Sequence, residues 1–211
     1  MTLIMLAGVS AMTMNVFLPS LPHIAEYFDT DYKLVQLSVA GYLAASGFLQ
    51  LFVGPLADKF GRRPILLVGL AIFLVATIGC LMAESFATFI AFRILQSSIA
   101  CGMALSRAIV RDMYKGDRSA AVMGYVTMGM SMVPMFAPVI GGILDQYFGW
   151  QASFWLLFVC GALIFAISWI DLGETAAPSE LSVLRQFAEY PELFKSPRFW
   201  GYCMAAALSS G

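Results

Sequence analysis

Apolar residues come in long unbroken runs along this chain, with polar residues gathered in short segments between them. The runs cover residues 2–18, 34–57, 64–83, 86–108, 119–144 and 152–170. Each is near the ~20 residues that a helix needs to cross about 30 Å of hydrocarbon. Six membrane-spanning helices are therefore predicted. Polar segments at 20–33, 54–64, 84–85, 107–118 and 145–151 join them. Pro19 and Pro22 are expected to end the first helix. An amphipathic stretch from Asp171 to Pro197 follows the sixth run. A seventh apolar run begins near Arg198, and the sequence stops inside it at Gly211. Three regions follow: a bundle over 1–171, a linker over 172–197 and the start of a seventh span over 198–211.

The placement of charge orients the runs. The segments after the second, fourth and sixth runs hold Lys59, Arg62, Arg63, Arg107, Arg111, Lys115, Arg118, Arg185, Lys195 and Arg198, whereas those after the first, third and fifth hold only Lys33. Basic residues mark the cytoplasmic face, so the even-numbered spans are expected to end there and the N-terminus to lie on the same side. The first run lacks a basic leader and a small-residue cleavage site, so it reads as a span rather than a signal peptide. The whole chain is 60% hydrophobic and 12% charged, against about half and a quarter for a soluble domain. The expected surroundings are a lipid bilayer, with no nucleic acid. Cys80, Cys101, Cys160 and Cys203 form no CxxC pair and read as small buried hydrophobes. His23 is the single histidine, so no metal site is expected.

Arg93 is the sharpest single feature. It stands in an apolar run, where a charge costs at least ~2.5 kcal/mol and should face the bundle interior. Gln96 lies three residues on, near the same face. Arg93 is expected to line a transport path, holding anionic groups or influencing a proton site. The bland alternative is an arginine near a span end that snorkels to water. Asn15, Gln36 and Gln50 are further polar candidates for such a path. Phe17, Tyr42, Phe48, Met128 and Met132 fit a cavity lining, but packing is the simpler reading for each. One histidine, no G-x-S-x-G and no paired acids within a run argue against an enzyme. A non-transporting scaffold is not separated from a transporter by sequence.

The stretch from Gly54 to Pro64 reads as a tight turn at a membrane face, with Gly54 and Gly61 letting the backbone bend and Pro64 in the first turn of the next helix. Its pattern G-x-L-x-D-x-x-G-R-R, carried by Gly54, Leu56, Asp58, Gly61, Arg62 and Arg63, resembles the signature loop of the major facilitator superfamily. Arg93 and Gln96 resemble that superfamily's helix-4 motif R-x-x-Q-G, with Ser97 in place of glycine. Pro138, Gly141 and Gly142 resemble the helix-5 motif G-P-x-x-G-G of its antiporters; Ala137 stands where glycine is usual, and Pro134 precedes it. The segment from Asn15 to Ala25, with Pro19 and Pro22, is similar to the D-M-Y-L-P-A-L-P-x-I-A stretch of the Bcr/CflA drug-efflux branch. Arg107, Arg111 and Asp112, Gly149 and Trp150, Glu174 and Thr175, and Phe199 to Tyr202 also match that branch.

The resemblance implies an all-α six-helix bundle of two inverted three-helix repeats, plus the start of a seventh helix. A faint echo fits this: Gly54 to Asp58 and Gly141 to Asp145 end the second and fifth runs alike, each followed by a glycine, Gly61 or Gly149. It also implies a bacterial inner-membrane exporter of drugs or other small amphipathic compounds, working by alternating access with a proton gradient and no cofactor. Uptake of a small metabolite is the alternative. Asp58 and the nearby arginines would latch two halves together on the cytoplasmic side. Six spans and part of a seventh do not enclose a two-sided path, so a C-terminal half of the same transporter is the expected partner. One departure stands out: the branch's acid on the first helix is Asn15 here, which cannot carry a proton.

Overall fold

A computed structural model describes residues 1–175 and 195–210. All regular elements in it are helical. The first apolar run forms α1 (Thr2–Asn15), then a 3-10 turn (Leu18–Ser20) and α2 (Leu21–Tyr27). The second is α3 (Tyr32–Phe60) and the third α4 (Arg62–Leu81). The fourth divides into α5 (Phe86–Leu95), a 3-10 turn (Gln96–Ile99) and α6 (Ala100–Met113). The fifth and sixth are α7 (Asp117–Phe148) and α8 (Gln151–Asp171). A last helix, α9 (Pro197–Ser210), corresponds to the seventh run. Six of these units are long and apolar enough to cross a membrane. Most of the predicted linker lies outside the described residues.

Three expectations about boundaries need correction. Pro19 and Pro22 do not end the helical path; each is the second residue of a short helix, where proline's missing N–H costs no bond. The predicted loop at 107–118 is helical up to Met113, and only Tyr114 to Gly116 separate it from α7. The turn after the second span is also tighter than expected. α3 continues through Pro55 to Phe60, and Gly61 alone reverses the chain, at φ 93° and ψ 151°. Side-chain-bearing residues rarely adopt that conformation. Gly149 ends α7 at φ 80° in the same way, so the two repeats close with matching backbone geometry.

The pairings between helices repeat too. The first span packs most extensively on the fifth, and the fourth packs on the second. The third packs on the sixth. Exchanging the first three spans for the last three reproduces this set, as two inverted repeats require. One end of the interior is an aromatic cluster that includes Phe17, Phe89, Trp150 and Phe154. A second cluster gathers around Leu6, Leu70, Phe73, Leu105 and Leu157, and a smaller third one around Ala7, Val110 and Val126. The second and fifth spans bury least, and their exposed residues are large and apolar, such as Phe48 and Leu51 on α3 and Met132 and Phe136 on α7. Such surface suits lipid or further spans rather than water.

Small residues set how closely α1 and α7 approach. Ala137 is buried, and a Cβ at Gly141 would fall on the backbone carbonyl of Val16. Pro134 and Pro138 do not break α7, which runs as one helix of 32 residues. Gly54 differs: it is helical, and a Cβ there would meet nothing within 4 Å. The bend expected there falls at Gly61 instead. Gly141→Ala should therefore lower the thermal unfolding midpoint of the purified protein, at ~1–3 kcal/mol or more for overpacking. Gly54→Ala should leave the midpoint unchanged or raise it, at up to ~1 kcal/mol for removing a helical glycine. Equal loss in both variants would contradict this account of the α1–α7 contact.

Candidate functional site

Arg93 sits in the last turn of α5, and the bundle covers it completely. It does not snorkel to an end. Its Nη1 donates to Gln96 Oε1 on the same span, and its Nη2 donates to the Thr13 carbonyl of α1 at 3.1 Å. The guanidinium lies 3.8 Å from the Phe17 ring centre, 4.7 Å from Tyr42 and 5.7 Å from Phe154. A desolvated cation on an aromatic face gains ~2 kcal/mol, so three faces together offset much of the burial cost. Gln96 Nε2 donates to Thr77 Oγ1 on α4 at 2.7 Å, and Thr77 Oγ1 donates to the Phe73 carbonyl. Arg93 and Gln96 together thus tie five of the six spans. Its Nε has no hydrogen-bond partner among the described residues, and no carboxylate pairs with it there. Arg93 and Gln96, expected to line a transport path, are both fully buried in this bundle.

The other path candidates are dispersed. Asn15 is half-buried on α1 and its Nδ2 donates to the Ala11 carbonyl at 2.7 Å. Gln36 stands exposed on α3. Gln50 is exposed on the same helix and opens onto a cleft of about 190 Å³, shared with Gly54, Asp58, Arg62 and Arg111. Among the cavity-lining guesses, Phe17 and Tyr42 pack on Arg93, whereas Phe48, Met128 and Met132 face outward. Cys80, Cys101, Cys160 and Cys203 are free thiols, and Cys203 is exposed on α9 rather than buried.

At the basic end, the signature residues form an ion-pair cluster. Arg62 Nε lies 2.6 Å from Asp112 Oδ2 at the end of α6, and its Nη2 lies 3.6 Å from Asp58 Oδ1. Half of the Asp58 side chain stays exposed. The first amides of α4 point at Glu174, whose carboxylate accepts from Arg62 N at 2.9 Å and Arg63 N at 3.3 Å. Anions are favoured at a helix N-terminus, and here the anion is Glu174 rather than Asp58. A Cβ at Gly61 would meet that same carboxylate. Arg63 donates to the Trp169 carbonyl at 2.8 Å and leans over the Trp169 ring. In the sequence, Asp112 and Glu174 are only matching positions; their contacts become visible once the second, third, fourth and sixth spans meet. A second pair at the opposite end had no sequence signal: His23 Nδ1 sits 2.5 Å from Asp145 Oδ2, 122 residues away.

A family model described as Major Facilitator Superfamily matches residues 3–211. The chain belongs to that superfamily. It is 31% identical over 205 residues to "Multidrug resistance protein D" of Escherichia coli, covering 96% of this chain and 51% of that protein. The "Bicyclomycin resistance protein homolog" of Haemophilus influenzae is 30% identical, covering 100% of this chain and 54% of its own length. The "Chloramphenicol resistance protein" of Pseudomonas aeruginosa is 32% identical, with coverages of 95% and 48%. These are the Bcr/CflA type of relative. The chain spans about half the length of these curated relatives. Among solved structures, peptide transporter POT in complex with sulfate matches at TM-score 0.70 and 18% identity, over 99% of this chain and 45% of that one. The human organic anion transporter MFSD10 matches at TM-score 0.65 and 22% identity, over 89% and 51%. Both show the shared fold.

Glu174 should hold the start of α4. Replacing a group that caps helix N-terminal amides costs ~1 kcal/mol, so Glu174→Ala should lower the unfolding midpoint measurably. Glu174→Gln keeps an acceptor and should lose less. Unchanged midpoints in both would show that the cap contributes nothing.

Proposed function

We propose that this chain forms one half of a secondary transporter that exports drugs or other small amphipathic compounds by alternating access, driven by inward proton flow. It is a transporter rather than an enzyme. The observation that carries this reading is the pairing of resistance-protein relatives along the whole chain with an ordered signature cluster at one end of the bundle. The other half of the path comes from a second set of spans, in line with the length of those relatives.

The basic end is the cytoplasmic face, by the positive-inside rule, and the membrane is the bacterial inner membrane. There Arg62 is held between Asp58 and Asp112 beside the turn at Gly61, while half-exposed Asp58 remains open to the facing half. Asp58 then latches the two halves when the cytoplasmic side is closed. The helix-5 residues Pro138, Gly141 and Gly142 favour export over uptake by their likeness to the antiporter motif. Coupling cannot use Asn15. Within the six spans, no acidic side chain lies more than three residues from a span end. The coupling proton is therefore carried outside the middle of these spans.

The latch can be tested with the full-length protein in an efflux-deficient bacterial strain. Asp58→Lys should lower compound export by at least about tenfold, the effect of losing ~1.4 kcal/mol of coupling, with normal amounts in the membrane. Asp58→Glu should keep part of the activity. Export at the normal rate by the lysine variant would refute the latch.

A further inference from the structure

We propose that Arg93 gives this half of the transport path a positive field that favours neutral and anionic compounds and disfavours cations. The inference rests on the export reading and goes beyond it, because it names the charge class of the substrate.

Three observations carry it. First, among the described residues Arg93 is the only charged side chain at the centre of the packed bundle; the other buried charged residue among them, Asp145, lies near the end of its span. Second, its described partners supply no negative charge. They are a glutamine oxygen, a peptide carbonyl and three aromatic faces, and its Nε is left without a partner among the described residues. Third, no acidic side chain sits deep in the six spans to cancel it. Dipoles and ring faces stabilise a cation but leave its net charge in place. The guanidinium is fully covered, so it acts on a compound through the low-dielectric bundle and not by contact. At ~10 Å and an effective dielectric of ~20, a unit charge biases occupancy on the order of tenfold for each sign.

Asn15 supplies the handle for a test. It is half-buried on α1, two residues beyond the Thr13 carbonyl that holds Arg93. Asn15→Asp is nearly isosteric and places a carboxylate in the neighbourhood that lacks one. The full-length protein would be reconstituted in liposomes with the membrane potential clamped at zero. Flux would be followed for three forms of one coumarin: a carboxylate, its methyl ester and a trimethylammonium derivative. The readout is the ratio of carboxylate to ammonium flux, which an overall loss of active protein does not change.

The wild-type ratio should be roughly a hundredfold, the product of the two biases, and Asn15→Asp should bring it at least tenfold lower. A wild-type ratio near one overturns the proposal. So does a ratio that stays high when Asn15 becomes aspartate. Ester flux with a ratio near one leaves the export reading standing and removes only the charge preference. Absence of flux for all three compounds overturns the export reading, and the charge preference falls with it.

Discussion

Arg93 brings a full positive charge into the middle of six apolar helices, and bulk water does not follow it. In such a medium every side of a guanidinium has to be met by a dipole or a polarisable face. The bundle meets all but its Nε with residues from different spans: Thr13 and Phe17 from the first, Tyr42 from the second, Gln96 from the fourth and Phe154 from the sixth. Gln96 extends the network to Thr77 of the third. The fourth span narrows to a 3-10 turn immediately after Arg93, and Ser10 and Ser98 bond across it, Ser10 to the Ile99 carbonyl and Ser98 to the Gly69 carbonyl. Side-chain hydroxyls thus fasten the neighbouring spans where the regular helix is interrupted.

The two ends of the bundle are built on the same backbone device and different chemistry. Gly61 and Gly149 each close a long helix with positive φ. The acid one turn earlier faces an arginine in one case and a histidine in the other, Asp58 with Arg62 and Asp145 with His23. Asp58 is half exposed while Asp145 is buried. The proposed latch would draw on a half-exposed acid, which a facing set of spans could reach. The buried one holds α2 against α7 within this bundle. The repeat therefore conserves geometry and assigns different work to equivalent positions.

The spans were legible because runs of about 20 apolar residues leave few alternatives. Their ends were less so. Arg107, Arg111 and Asp112 are polar and look like a loop, but arginine is a good helix former, and the helix carries them past the apolar segment to Met113. Pro19 and Pro22 look like breakers until they prove to be first-turn residues. Arg93 was legible as a lone charge in an apolar run. Its cage was not, because Thr13 and Arg93 are 80 residues apart and carbonyls and rings carry no pattern that marks them as partners. The echo between Asp58 and Asp145 was visible in one dimension, whereas the partner His23 was not.

Everted membrane vesicles containing the full-length protein offer the most direct measurement. An acid lumen would be established, and lumenal pH followed as candidate drugs are added outside. A drug-dependent rise in lumenal pH, with labelled drug accumulating inside, is expected of proton-coupled export. Drug that only equilibrates down its own gradient, with no pH response, would contradict proton coupling. No movement of drug or protons across a broad panel of compounds would contradict transport itself.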